Sequence, residues 1–140
     1  MQKINLLLRP YQEQDEAQVI NLWYRCNLVV PWNDPKKDID LKLQVQPELF
    51  LVGLIEDEVI ATIMAGYEGH RGWLNYLAVA PEYQRQGIGK YMVEQATIKL
   101  KLLNCPKINI QIRNSNTDVI QFYEHLKFKI DDVISMGKRL

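Results

Sequence analysis

The run Gln84-Arg85-Gln86-Gly87-Ile88-Gly89-Lys90 constrains the fold of this chain most, because it sets two glycines and a cationic pair between a strand and a helix. Before it, residues 73–79 carry Leu74, Leu77, Ala78 and Val79 and read as a buried strand, which Pro81 ends by removing a ladder donor. After it, Ile88, Met92, Ala96, Leu100 and Leu103 recur at helical spacing, with Glu94, Lys99 and Lys101 left for solvent. The glycines therefore fall at a helix N-terminus, whose first amides have no intrahelical acceptor and point along the positive end of the dipole. With no Cβ at Gly87 or Gly89, an anion can approach those amides, and Arg85 and Lys90 add charge at the rim. Such a turn can hold a phosphate, and the same residues also suit a plain tight turn. The common nucleotide motifs fail on spacing. A Walker loop needs Ser or Thr after the lysine, where Tyr91 stands, and a dinucleotide fingerprint needs a third glycine, where Met92 stands.

The rest of the chain reads as one continuous α/β unit over residues 1–140, without repeats, low-complexity tracts or linkers. Residues 4–9 predict a first strand. Asp15 with Gln18 predicts a capping-box start to a helix that turns Val19, Ile20, Trp23 and Cys26 inward. Asp34 as cap and Pro35 at the first helical position predict a second helix with Ile39 and Leu43 as its apolar stripe. Residues 49–55 and 59–65, parted by Glu56-Asp57-Glu58, predict a hairpin feeding the strand at Trp73, and the alternation of residues 107–113 predicts a further strand.

Composition narrows the class of partner. Seventeen basic and seventeen acidic residues cancel, so no basic field draws nucleic acid or anionic lipid over distance. The longest apolar run, residues 49–55, is far below the ~20 residues of a membrane span, and residues 6–8 are too few for a signal-peptide core. A cytoplasmic location is the expectation. Cys26 and Cys105 form no Cys-x-x-Cys and have no clustered histidines, which predicts neither a metal site nor a disulfide.

Gln-x-x-Gly-x-Gly after a strand ending Leu77-Ala78-Val79-x-Pro81 resembles the acyl-CoA pyrophosphate loop of the GCN5-related N-acetyltransferases. The later segment Asn116-Thr-Asp-Val119-Ile-Gln-Phe122-Tyr123-Glu-His-Leu126-Lys-Phe128 is similar to that family's helix in which Tyr follows Asn by seven residues. The resemblance covers residues 59–128 well and the first third more loosely, through Arg9-Pro-x-x-x-x-Asp15 and Leu22-Trp23. Pro31-Trp-Asn-Asp-Pro35, Gly69-His-Arg-Gly72, Cys105-Pro-Lys-Ile108 and Gly137-Lys-Arg-Leu140 resemble a subgroup of small bacterial members. The resemblance implies a mixed, mostly antiparallel sheet flanked by about four helices, closed by an antiparallel pair over residues 130–134 and 135–140. Two residues depart from the pattern: Lys127 stands where the family usually has Gly to close the helix, and Val119 replaces a frequent Ala.

The activity that the resemblance implies is transfer of the acetyl group of acetyl-CoA, as co-substrate and without metal, to a primary amine that attacks the thioester directly. The amine is a small metabolite or a protein N-terminus or lysine, and the family allows a homodimer. A nucleophile elbow is absent, which suits direct attack. By the same resemblance, Gln84, Arg85, Gln86, Gly87, Ile88, Gly89 and Lys90 hold the pyrophosphate, and Leu77, Ala78 and Val79 offer backbone to the pantetheine arm. Asn116 hydrogen-bonds that arm or caps its helix. Tyr123 is the general acid beside the thiolate, or a core residue on the stripe with Val119 and Leu126. The family has no fixed base; Glu68 is the candidate, and Trp32, Asp34, His70 and Tyr76 are candidates for the acceptor side, each with a simpler reading in packing, capping or solvation. Two other functions compete: a CoA-binding sensor without turnover, and a structural module with incidental glycines.

Overall fold

The computed structural model describes residues 5–140, so Ile4, where the first strand was expected to begin, lies outside the described residues. The chain divides into two compact units, Met1–Ile110 and Gln111–Leu140. The first unit is built on a sheet of five strands in the order β1 (Leu7–Pro10), β2 (Phe50–Ile55), β3 (Glu58–Tyr67), β4 (Gly72–Val79) and β5 (Ile108–Asn109). Neighbours run antiparallel except β4 and β5, which are parallel. The expected hairpin forms β2 and β3. Its two turn residues, Glu56 and Asp57, sit at φ 49° and 65°, the left-handed pair that a tight hairpin following the strand twist requires.

The continuous apolar runs of β2 and β3 are explained by cover on both faces. On one face, Trp23 of α1 (Glu16–Arg25) donates from Nε1 to Thr62 Oγ1 at 2.9 Å. On the other, a Cβ at Gly53 would lie 3.4 Å from Ala61 Cβ and 3.5 Å from Met92 Sδ of α3 (Ile88–Leu102). Ala61 and Thr62 are adjacent on β3 and point to opposite faces, so α1 and α3 sandwich the sheet. The centre of the core is Trp23, Phe50, Ile60, Ile63 and Met92, all fully buried.

Local expectations change where packing competes with pattern. α1 buries Val19, Leu22 and Trp23, while Ile20 and Cys26 are half-buried. Asp15 does not cap α1 with its side chain. Its carboxylate instead takes Arg9 Nη1 at 2.7 Å, Arg9 Nη2 at 3.0 Å and the Gln12 amide at 2.8 Å, tying β1 to the start of the helix. Gln18 reaches across to accept from the Val59 amide at 2.9 Å. α2 (Pro35–Lys42) starts as read, with Asp34 Oδ1 accepting from the Lys36 and Lys37 amides at 3.1 and 3.3 Å, but its Leu43 is exposed and only Ile39 is buried. Leu103, placed on the apolar stripe of α3, lies just past the helix and is exposed. The strand expected over residues 107–113 pairs only through Ile108 and Asn109.

The second unit holds α4 (Thr117–His125). No strand forms over residues 130–140, so the antiparallel pair implied by the family resemblance is absent there; Ile130, Val133, Ile134 and Met136 are exposed. That stretch has no sustained period-2 alternation to specify a register. Lys127 does take the left-handed cap, at φ 74°. Its amide donates to Glu124 O and the Phe128 amide to Tyr123 O, both at 3.0 Å, while the Phe128 and Tyr123 rings meet edge to face at 5.2 Å. This is a Schellman closure made without glycine.

Candidate functional site

The turn from β4 to α3 has the geometry of an anion cradle. Gly87 is the N-cap residue of α3, at φ 84°, and a Cβ built there meets nothing within 4 Å. Glycine is therefore favoured by backbone conformation and leaves open space above the helix end. Ile88, Gly89 and Lys90 are the first three helical residues, whose amides lie ahead of the first intrahelical bond, Tyr91 N to Gly87 O at 3.0 Å. No acidic residue sits in that first turn. Arg85, at φ 63°, and Lys90 are exposed, and Lys90 lies 3.9 Å from Glu94, a solvent-screened pair. Gln84 and Gln86 brace the loop, through Gln84 Nε2 to Val79 O at 2.9 Å and Gln86 Nε2 to Glu82 O at 3.4 Å.

β4 parts from β5 on the approach to this turn while it stays paired with β3. Its pairing with β5 stops at Trp73, and its register against β3 shifts between Thr62 and Met64. Tyr76 occupies the shift at φ 52°, which places Asn75 and Tyr76 on the same face. Tertiary contacts hold this bulge: Thr62 Oγ1 donates to Tyr76 O at 2.9 Å, and the Tyr76 ring stacks on Trp23 with centroids 3.8 Å apart. Beyond the bulge, Ala80 N bonds Ile60 O at 2.8 Å, so Val79, one residue before, turns its N–H and C=O away from β3. The Val79 carbonyl is engaged by Gln84 Nε2 and, at 3.3 Å, by Cys26 Sγ, leaving its N–H as the group directed outward. Leu77 is half-buried, and Ala78 is buried opposite Thr62.

The acceptor-side candidates are scattered over the first unit. Glu68 and His70 are exposed in the β3–β4 turn, where the Glu68 carboxylate accepts from the Arg71 amide. Trp32 is exposed ahead of α2, and Asp34 caps that helix. Tyr76 donates its phenol proton to Asp38 Oδ2 at 2.5 Å; burial and this bond together push its pKa well above the usual range. Asp38 was not anticipated, and neither were Lys42 and Gln46. Lys42 Nζ donates to Ala65 O at 2.5 Å, and Gln46 pairs with both backbone groups of Tyr67, at 2.8 and 3.0 Å. These side chains stand in for β2 along the part of β3 that overhangs it. The available signal was Lys42 three residues after the buried Ile39, on its helical face.

In the second unit, Asn116 stands at the N-cap of α4 but makes no capping bond with its side chain. Tyr123 is buried, edge to face with Phe122 and Phe128 at 5.0 and 5.2 Å. Burial raises its pKa to about 12. Among the described residues, no group of three or more His, Cys, Asp or Glu is arranged to hold a metal ion, and no helix is long and apolar enough to cross a membrane.

Comparison with known proteins agrees with this geometry. The profile of the Acetyltransferase (GNAT) family matches residues 17–128. An acetyltransferase of Sodalis glossinidius is 45% identical over 134 residues, covering 95% of this chain and 94% of the relative. Among solved structures, Ard1 from Thermoplasma volcanium superposes with a TM-score of 0.78 at 16% identity, covering 91% of this chain and 85% of that one. An aminoglycoside 6′-N-acetyltransferase from Acinetobacter haemolyticus does so at 0.74 and 18%, covering 96% and 99%. By profile and by relative, this chain belongs to the GNAT acetyltransferase family and is an N-acetyltransferase.

Proposed function

We propose that this chain moves the acetyl group of acetyl-CoA to a primary amine, with residues 84–90 holding the pyrophosphate. The observation that carries the reading is Gly87, left-handed at a helix N-terminus, with open space where its side chain would stand and no acid in the first turn. The residues fit the group. Amides of Ile88, Gly89 and Lys90 would meet phosphate oxygens, with Arg85 and Lys90 supplying charge and Gln84 and Gln86 shaping the loop. The outward N–H of Val79 would bond the pantetheine arm in the manner of an added strand alongside Leu77 and Ala78. When bound, the thioester supplies an activated acetyl carbon for direct attack by the amine.

Asn116, whose side chain is not used in capping, bonds the pantetheine arm on this reading. On the family resemblance, Tyr123 is the donor to the departing sulfur. Its pKa of about 12 against ~8.5 for a thiol favours a hydrogen bond to the developing thiolate over complete proton transfer. Glu68 takes the proton of the acceptor ammonium, directly or through water, and the acceptor is a small metabolite or a protein N-terminus or lysine. Melting curves and an amine panel test the reading. CoA at a hundred times its Kd should stabilise the fold by ~2.7 kcal/mol. A flat response to CoA overturns the reading, and binding without amine-dependent thiol release replaces it with a sensor.

A further inference from the structure

An open cleft of about 200 Å³ lies between α2 and the β3–β4 hairpin, lined by Lys42, Val45, Gln46, Met64, Trp73 and Asn75 among others. We propose that this cleft takes the acceptor by an apolar body and a carboxylate, the carboxylate docking on Lys42. The proposal rests on the acetyl-transfer reading and narrows its acceptor to amines that also carry an acid group.

Lys42 is the one cation on the wall of the cleft, and the acids around it suit the amine end of the same ligand. Glu68 lines the cleft and bonds the Arg71 amide, while Asp34 bonds the α2 amides and Asp38 the Tyr76 phenol; none of the three is paired with Lys42. Lys42 is half-buried and lies outside the ion pairs of the described residues. Among the described residues its hydrogen bond is to the neutral carbonyl of Ala65, and Glu48 acts on it as a more distant charge. Burial lowers its pKa, the mark of an ammonium short of solvation. A partly desolvated ammonium without a counter-ion gains from a ligand carboxylate, which also meets its remaining donors.

The apolar body follows from Val45, Met64 and Trp73 on the walls. Gly66 lies beside the lysine end, where a Cβ would make ordinary contact with Lys42 Nζ at 3.6 Å and Gln46 Oε1 at 3.8 Å. Position completes the case. Trp73 and Asn75 belong to the same strand as Leu77 and Val79, and two strand residues span about 7 Å. Of the residues assigned to pantetheine, Leu77 lies within that span of Asn75 and Val79 twice as far, so the amine is expected at the Asn75 end of the cleft.

The test is an NMR titration of the full chain with 3-phenylpropionate and with 3-phenylpropanamide, which share a carbon skeleton and differ in whether a carboxylate is offered to Lys42. The acid should bind at least tenfold tighter and shift the Trp73 indole and Asn75 amide signals. Lys42→Arg should keep the preference and Lys42→Met should erase it. Lys42→Met also removes the bond to Ala65 O, so Val45→Asp serves as a second variant that sets a competing acid on an exposed wall residue; it should lower acid binding tenfold. Equal binding of the two probes, or a preference that survives both Lys42→Met and Val45→Asp, overturns the proposal. Acetyl transfer to phenylalanine and to its amide separates the two readings. Equal transfer to both sinks the cleft assignment and leaves the transferase, whereas Lys42-dependent acid binding with no transfer to any amine sinks the transferase and leaves the cleft.

Discussion

Replacing Gly87 with alanine separates what that position does for the fold from what it does for a ligand. The residue sits at φ 84°, where an L side chain costs about 1–2 kcal/mol relative to glycine. Nothing lies within 4 Å of the added Cβ, so no clash is added to that strain. The melting temperature should fall by about 3–6 °C. The effect on binding should be larger, because the methyl group enters the space through which a phosphate reaches the amides of Ile88 and Gly89. Loss of one charge-assisted hydrogen bond is worth about 1.5–3 kcal/mol, which weakens CoA by ~10- to 150-fold. Calorimetry should therefore show a large loss for CoA and an unchanged Kd for pantetheine, which lacks the pyrophosphate; Gly87→Val should lose more than Gly87→Ala. Unchanged CoA affinity in the folded variant, or an equal loss for pantetheine, would refute the loop assignment.

Tyr123→Phe should slow single-turnover acetyl transfer by ten- to a thousandfold with little change in acetyl-CoA affinity, as expected for a donor aimed at developing charge. With the wild-type phenol held to about 12, the rate should show no alkaline loss from this group up to pH 10. Asp15→Asn should lower stability by about 2–3 kcal/mol in denaturant unfolding, less than for a fully buried pair because Arg9 stays partly solvated. Burial alone would raise the Asp15 pKa, but Arg9 and the Gln12 amide outweigh it and the net shift is downward. The unfolded chain therefore takes up the proton first as pH falls. The contribution is complete above about pH 4 and disappears as pH drops through the lower folded value, and a pH-independent difference between wild type and variant would contradict it. Lys127→Gly should stabilise α4 by about 1 kcal/mol by relieving the left-handed lysine at φ 74°, and an unchanged or lower melting temperature would count against that.

The parts of the fold that local physics decides were legible beforehand. The apolar strand before the glycines and the helical stripe after them place a strand-to-helix turn at residues 84–90, and the acidic break between two apolar runs places the β2–β3 hairpin. Asp34 and Pro35 mark the start of α2 because capping is a contact between close neighbours. The Tyr76 bulge could not be read that way. A tyrosine at positive φ inside a strand is held by Trp23 and Thr62, which are distant in sequence. Lys42 was missed for the opposite reason: lysine is almost always solvated, and only the overhang of β3 beyond β2 gives it a carbonyl to bind. The alternation of residues 107–113 predicted a strand without saying how much of it would find a partner, and two residues did. The expected closing strands were carried by resemblance alone, in a stretch whose own pattern did not support them.

Acetyl transfer to nitrogen from a donor held at Gly87 is measured most directly as thiol release from acetyl-CoA across an amine panel, with the products identified by mass spectrometry. Amine-dependent release should be matched mole for mole by N-acetylated product and be fastest for amines that carry a carboxylate and an apolar body. Tight acetyl-CoA binding with no amine raising thiol release above hydrolysis would contradict it.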